Sequence, residues 1–230
     1  MLVAYDAFLV KAILPVAESL RTGSFAADHI HVIAAMPDFS IHLYWYLGRS
    51  AGFVAFWLLF ASVAMGLAVS SRVFDGMLAR PWVFEFHKFL SVFVLIVMTF
   101  HGLIMIGDPY IKFSLRELLV PLQSHYKNNA VALGIVTLYG SVLITLSFYM
   151  KGMISQKTWR TLHYLTFALF VAALAHGLWA GTDTKLHYVQ YSYLGSGAAV
   201  LFLTFFRILA SRSVTKKARA APPAAQARVA

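Results

Sequence analysis

Five long stretches of the chain contain no charged residue, and these stretches organise the whole sequence. They run over 50–71, 89–107, 128–150, 161–182 and 186–206, each without an Asp, Glu, Lys or Arg. A helix needs about 20 apolar residues to cross about 30 Å of hydrocarbon. Backbone polar groups in lipid must be satisfied within their own segment, and none of the five alternates like a barrel strand. Each stretch therefore predicts a transmembrane helix, and we name them the first to fifth spans.

The segments outside the spans are more mixed. Residues 1–20 are apolar, but three charged residues interrupt them and Pro15 would bend a helix, so an interfacial helix and an imperfect sixth span both fit. The predicted organisation is an N-terminal membrane segment and loop over 1–42, a helical membrane domain over 43–210 and a basic disordered tail over 211–230.

The composition excludes a soluble enzyme. Hydrophobic residues make up 60% of the chain and charged residues only 12%, against roughly a quarter charged in soluble domains. The predicted fold is therefore an all-α polytopic bundle of five core helices in a lipid membrane. The net charge of +10 does not indicate nucleic acid, since Lys and Arg lie in short loops and a tail beside the spans. Twelve lie on the side of the C-terminus and seven on the other, which predicts a cytoplasmic C-terminus, with a bacterial inner membrane as the expected location.

Four histidines lie at matched positions in or beside two of the spans. The chain has no cysteine, which excludes thiolate ligands, iron–sulfur clusters and covalently attached haem and leaves histidine as the main soft ligand. His87 and His101 bracket the second span, and His163 and His176 bracket the fourth. Spans two apart run in the same direction, so His87 is expected level with His163, and His101 level with His176. The pattern predicts two pairs across two parallel helices.

Opposed imidazoles are the ligand set of a six-coordinate haem iron. We therefore expect two haem b groups, with His87 and His163 on the inner haem iron and His101 and His176 on the outer haem iron. The alternative is that each histidine only hydrogen-bonds between helices.

The spacing of the histidines predicts an irregularity in the fourth span. Fourteen residues return an α-helix to within about 40° of its starting face, whereas 13 residues fall about 140° short of four turns. Since His163 and His176 are 13 apart, this span is expected to curve, to rewind locally or to tilt its ring. Gly102 and Gly177 each follow an outer histidine and predict free space beside the porphyrin.

Arg49 precedes the first span at the level expected for the outer histidines. A guanidinium there requires an anionic partner, and a haem propionate is the partner predicted. The alternative is that the side chain extends to the outer headgroups.

Two motifs connect the chain with a known family. Residues 46–52 read Tyr-Leu-Gly-Arg-Ser-Ala-Gly, and residues 157–163 read Lys-Thr-Trp-Arg-Thr-Leu-His. Together with the uneven histidine spacing, these motifs mean that the chain, over about residues 43–209, resembles the ferric reductase-like transmembrane family. That family includes the membrane parts of ferric reductases and NADPH oxidases and the haem-binding subunit of the bacterial methionine sulfoxide reductase system. The resemblance implies two stacked b-type haems that carry electrons outward from the cytoplasmic side.

The electron donor is expected to be a separate molecule. The chain has no glycine-rich dinucleotide fingerprint and ends about twenty residues after the last span, without the flavin and nicotinamide domain of larger family members. The expected donors are a cytoplasmic flavoprotein reductase or a membrane quinol, the acceptor is extracytoplasmic, and FMN or a quinone stays open as a further cofactor. The chain would then be an oxidoreductase component without a catalytic residue of its own. The alternatives are a quinol-oxidising subunit of a larger reductase complex and a haem-free helical scaffold or transporter.

Overall fold

The computed structural model describes residues 37–71 and 79–220. The N-terminal stretch over 1–20, with its two alternatives, lies outside the described residues. Contacts divide the chain into two compact units, Met1–Tyr46 and Leu47–Ala230, and the side-chain contacts described below all belong to the second.

The described residues are helical and contain no strand, which confirms the all-α fold class. The α-helices in chain order are α1 (Pro37–Ser70), α2 (Arg80–Ile104), α3 (Leu115–Leu119), α4 (Asn128–Tyr149), α5 (Gln156–Ala180) and α6 (His187–Ala220). A short 3₁₀ turn follows α2 at Met105–Gly107, and another precedes α6 at Asp183–Lys185.

All five predicted spans are present as helices long and apolar enough to cross a membrane, so the chain is an integral membrane protein by length and composition. The spanning stretches are Leu43–Ser70, Pro81–Gly107, Asn128–Tyr149, Gln156–Ala180 and His187–Leu209. They belong to α1, α2, α4, α5 and α6.

Two boundaries differ from the prediction. The described part of α1 starts at Pro37, inside the loop that the sequence predicts. The helix α6 continues to Ala220, although the sequence predicts disorder from residue 211. The stretch that extends it contains Lys, Arg and Ala, which are strong helix formers even where the surroundings are polar.

An aromatic core joins three of the spanning helices. Phe56 of α1 stacks on Phe170 of α5 at 5.8 Å between ring centroids, and its ring lies 4.4 Å from that of Tyr193 in α6. Leu59 and Val63 extend this core along α1. The core holds α1 against α5 and α6.

Large apolar side chains cover the outside of the helices. Phe89, Val171, Leu201 and Phe202 are each more than 60% exposed. In water such a surface would be unstable, but hydrocarbon solvates these side chains well. The outward faces are therefore suited to lipid.

The loop between α2 and α4 is ordered by buried polar contacts. Asp108 is 1% exposed, and its Oδ1 accepts the backbone N–H of Tyr110 at 2.8 Å, which turns the chain after α2. Phe113 packs with Val131 and Ile135 in a small second core. The loop is thereby anchored to α4, at the end of the bundle that carries His101.

Candidate metal centre: two histidine pairs

The inner pair joins the first halves of α2 and α5. The ring centroids of His87 and His163 are 6.3 Å apart, with an interplanar angle of 81°. Both rings lie at the helix ends that the sequence predicts to face the cytoplasm. The structure thus brings together two histidines that are 76 residues apart in sequence.

The outer pair joins the second halves of the same two helices. The ring centroids of His101 and His176 are 6.2 Å apart, and the interplanar angle is 73°. Since α2 and α5 run in the same direction, each contributes one ring to each pair. This is the pairing that the sequence predicts.

The ring separation suits a shared metal ion. A histidine nitrogen binds a metal at about 2 Å and lies about 1 Å from the centre of its own ring, so two imidazoles on opposite sides of one ion have centroids about 6 Å apart. Both measured separations agree with this value. The described residues contain no group of three or more His, Cys, Asp and Glu that could hold a metal by themselves. A two-imidazole set needs a cofactor that supplies the remaining ligands, as a porphyrin does.

Backbone carbonyls orient the outer rings. The Nδ1 of His101 lies 2.8 Å from the carbonyl oxygen of Gly48, and the Nδ1 of His176 lies 2.7 Å from that of Ala130. A carbonyl can only accept, so each Nδ1 carries the proton and donates it. The lone pair of each ring is then on Nε2, which is the nitrogen available to a metal.

The inner rings are oriented differently. The Nδ1 of His87 is buried and has no hydrogen-bond partner in the described part of the chain. The hydroxyl of Ser91 donates to the backbone carbonyl of His87 at 2.8 Å. The same hydroxyl lies 3.2 Å from the hydroxyl of Ser62, and this second contact joins α1 to α2. The ring of His163 stacks on Trp159, one turn earlier in α5, at 5.1 Å and 24°.

Glycines on neighbouring helices make room for three of the four rings. A Cβ at Gly52 would lie 2.8 Å from Cε1 of His101, and a Cβ at Gly134 would lie 2.8 Å from Cε1 of His176. At either glycine, a side chain would collide with the histidine ring, so only glycine fits without moving that ring. Gly66 is less tight, since its Cβ would lie 3.3 Å from the ring of His87.

Sequence reasoning missed these glycines, although a signal existed. Gly52 and Gly66 of α1 are 14 residues apart, the same step as His87 and His101 on the neighbouring α2. The role that the sequence predicts for Gly102 and Gly177 beside the porphyrin stays a prediction. A Cβ at Gly102 would meet nothing within 4 Å, so a methyl group fits there, and a Cβ at Gly177 would lie 2.7 Å from the ring of Tyr193.

A cavity of about 500 Å³ surrounds the inner pair. This volume is within the range of pockets that hold cofactor-sized ligands. His87 and His163 both line it, with Gly66, Phe148 and Trp159. Three basic side chains also line the cavity, and they are Lys88, Arg160 and Arg207. Lys88 pairs with Glu85 at 2.6 Å, whereas Arg160 and Arg207 form no ion pair within the residues described.

The 13-residue step in α5 requires no rewinding. The helix is α-helical from Gln156 to Ala180, so the local rewinding that the sequence offered as one explanation does not occur. His176 is held by the carbonyl of Ala130 in α4, while His163 lies against Trp159 of its own helix. The two rings leave α5 on different sides and still reach α2 at two levels.

Arg49 has an anionic partner within the chain. Its Nε donates to Oδ2 of Asp183 at 2.8 Å, and a second nitrogen, Nη2, contacts Oδ1. This bidentate ion pair joins α1 to the turn before α6. The sequence predicts an anionic partner at this position, and the haem propionate proposed for that role stays a prediction.

His187 and His125 contact residues outside the two pairs. His187 stacks on Tyr191 at the start of α6. His125 contacts the Glu117 carboxylate through Nδ1 and lies 3.0 Å from the carbonyl of Ile111 through Nε2. The hydrogen bond to Glu117 raises the pKa of His125, while backbone N–H groups and His125 lower the pKa of Glu117. This contact closes the loop between α2 and α4.

No family model, no curated protein and no solved structure matches the chain. The resemblance to ferric reductase-like proteins therefore depends on the motifs quoted above, and the geometry of the histidine pairs stands independently of it.

Proposed function

We propose that this protein is a di-haem b membrane cytochrome that transfers electrons from a donor on the cytoplasmic side to an extracytoplasmic acceptor. The observation that carries the proposal is the presence of two imidazole pairs, one at each end of the same two helices, with ring separations of 6.3 and 6.2 Å. A single buried histidine pair could serve helix packing. Two pairs with the same separation at two depths favour a chain of redox centres.

The four imidazoles have distinct tasks in this proposal. His87 and His163 hold the inner haem, and His101 and His176 hold the outer haem. Each haem, once bound, supplies one-electron chemistry at an iron without an open position, so the substrate would exchange electrons at the haem edge and would not bind the iron.

The rest of the chain positions these rings. The carbonyls of Gly48 and Ala130 hold the protons of the outer rings at Nδ1, and Gly52 and Gly134 let the rings lie directly against the helix backbones. The low dielectric of the surrounding helices favours neutral imidazoles, which are the form that binds iron.

The direction of transfer follows from the charge of the loops. The more basic side is expected to face the cytoplasm, in a bacterial inner membrane. Arg160 and Arg207 lie at the cavity of the inner pair, where a cytoplasmic flavoprotein with an acidic surface, or a membrane quinol, would deliver electrons. FMN or a quinone would be a further cofactor at that side. The acceptor would meet the outer pair.

Haem content and the reduced spectrum of the purified protein test the proposal. We expect two haems per chain, which dithionite reduces to give the absorption bands of low-spin b-type haem. His101→Ala should remove one haem and keep the other, because the outer iron loses one of its two ligands. His187→Ala is the matched control, since His187 begins a spanning helix but belongs to neither pair.

Two results would contradict the proposal. A colourless protein would favour the haem-free scaffold or transporter, and full haem content in the His101→Ala variant would exclude the assigned ligands. If a quinol reduces the haems and a cytoplasmic flavoprotein reductase does not, the protein would instead be the quinol-oxidising subunit of a larger complex.

A further inference from the structure

An indole ring lies directly against the inner histidine pair. Trp159 stacks on His163 at 5.1 Å between centroids, with an interplanar angle of 24°. Its Nε1 is buried and has no hydrogen-bond partner among the described residues. Packing alone therefore holds the indole, including an edge-to-face contact with Phe148 at 6.5 Å. The indole restricts the rotation of the His163 ring about its side-chain bonds.

A lysine ammonium lies against the same indole. The Nζ of Lys151 is 3.6 Å from the ring centre of Trp159 and 4.7 Å from that of Phe148. Cation–π contacts at this distance hold an ammonium over an aromatic face. Lys151 forms no ion pair with any carboxylate in the described ranges. The ammonium of Lys151 and the imidazole of His163 both lie against the indole of Trp159.

Lys88 is a nearby lysine whose positive charge is paired with a carboxylate. Its ammonium also lies near aromatic rings, 5.4 Å from Phe84 and 5.8 Å from Phe148. However, it forms an ion pair with Glu85 at 2.6 Å. The net field of that pair at the inner site is small, whereas Lys151 contributes a full positive charge.

We infer that Lys151 and Trp159 are positioning residues that raise the reduction potential of the inner haem site, an inference that rests on the proposed function. A fixed positive charge near an iron disfavours the ferric state more than the ferrous state, because the ferric state carries one more positive charge. Residues outside the ligand set commonly tune a metal in this way. The inner site therefore accepts an electron from the cytoplasmic donor more readily than the same two ligands alone would allow.

A redox titration of the purified protein, followed by the absorbance of reduced haem, tests this inference. Lys151→Gln should lower one of the two midpoint potentials, and Lys151→Arg should leave both near those of the wild type because it keeps the charge. The His101→Ala variant should retain only the inner haem. The midpoint potential that shifts must therefore be the one that this variant still shows. Lys157→Gln is the matched control, since Lys157 is an exposed cation two residues before Trp159.

Variants of the indole separate its role from that of the charge. Trp159→Phe keeps an aromatic face for Lys151 and His163, so the midpoint should stay close to that of the wild type. Trp159→Leu removes the face, which should lower the same midpoint and alter the low-spin electron paramagnetic resonance signal of one haem, since the His163 ring can then rotate.

The failures of the inference and of the proposed function can be distinguished. Two normal haems whose midpoints respond equally to Lys151→Gln and Lys157→Gln would overturn the inference and leave the proposed function intact. A wild-type protein that binds no haem would overturn both.

Discussion

The outer and inner histidine pairs have nearly equal ring separations, but the protein holds them by different means. At the outer end, the carbonyls of Gly48 and Ala130 orient both rings, and backbone at Gly52 and Gly134 lies directly against them. At the inner end, the rings line a cavity, and an indole stacks on one of them. The comparison indicates that the outer site is defined by tight backbone contacts and the inner site by aromatic packing and charge.

The loops strengthen this difference. Lys127, just before α4, donates from Nζ to the carbonyls of Trp179 at 2.8 Å and Ala180 at 3.4 Å, at the end of α5. A cation there satisfies carbonyls that have no partner within the helix and interacts favourably with its dipole. The segment that carries Ala130 is thereby fixed to the helix that carries His176.

The largest expected effect comes from filling the space at an outer glycine. Gly134→Ala would place a methyl group 2.8 Å from the ring of His176, which should displace the ring and cause loss of the outer haem. Overpacking of this kind costs about 1–3 kcal/mol of stability. Haem content per chain and thermal unfolding in detergent measure both consequences.

Two further glycines serve as controls for that experiment. Gly66→Ala should have a smaller effect at the inner site, because its Cβ would lie 3.3 Å from His87 and a small shift relieves the contact. Gly102→Ala should keep both haems and stabilise α2 by roughly 0.5–1 kcal/mol, since the site is open and alanine favours the helix. Equal haem loss in all three variants would refute the idea of a tighter outer site.

A medium effect is expected from the ion pair at the outer end. Arg49→Gln should lower the free energy of unfolding by about 1–2 kcal/mol, because a half-buried bidentate contact with Asp183 is lost and its carboxylate is left without its cation. Adding Asp183→Asn should recover part of that loss. Thermal unfolding of the single and double variants measures the coupling.

The spectrum of the same Arg49 variants sharpens the comparison between the two ends. The outer haem signal should shift while the inner signal stays unchanged, because Arg49 follows Gly48, whose carbonyl holds His101. A change confined to the inner signal would contradict the assignment of levels.

The smallest expected effect concerns pH and the outer loop. Both ring nitrogens of His125 face acceptors, the Glu117 carboxylate and the carbonyl of Ile111, and only a doubly protonated ring donates to both. Because the pKa of His125 is raised in the folded protein, its contribution is complete below the ordinary histidine value of about 6.5 and is lost as the pH rises through the raised value. The pKa of Glu117 is lowered, so its own contribution is complete above the ordinary value of about 4.5 and is lost as the pH falls through the lowered value.

Hydrogen exchange of the loop amides checks this expectation. The backbone N–H of His125 donates to the Glu117 carboxylate at 3.0 Å, and the backbone N–H of Ser114 donates to the same carboxylate at 2.9 Å. Both amides should lose protection from exchange as the His125 ring deprotonates. His125→Gln should abolish the pH dependence, while the two histidine pairs should be unaffected. If the exchange protection of these amides did not change with pH, the loop would be held without the imidazolium of His125.

Much of the fold could be predicted because its signals are local. A stretch such as 128–150 is a spanning helix by its own composition, whatever its neighbours are. The level of each histidine also follows locally, since the direction alternates from span to span and the rise per residue is constant. For this reason the pairing of His87 with His163 could be predicted from the sequence.

The rest of the site depends on which helix faces which. The contacts of His101 with Gly52, of His176 with Ala130 and of Arg49 with Asp183 each join residues on different helices, up to 134 positions apart. Neighbour choice and rotation about the helix axis come from side-chain packing over the whole bundle, which no window of sequence contains.

By itself, therefore, the sequence determined the five spanning helices of the described residues and the two levels of histidines, because hydrophobicity and helix rise are properties of single segments. Only the tertiary structure decided which carbonyls orient the outer rings, which glycines admit them and which indole supports the inner pair, because these contacts exist only once the helices have packed against one another.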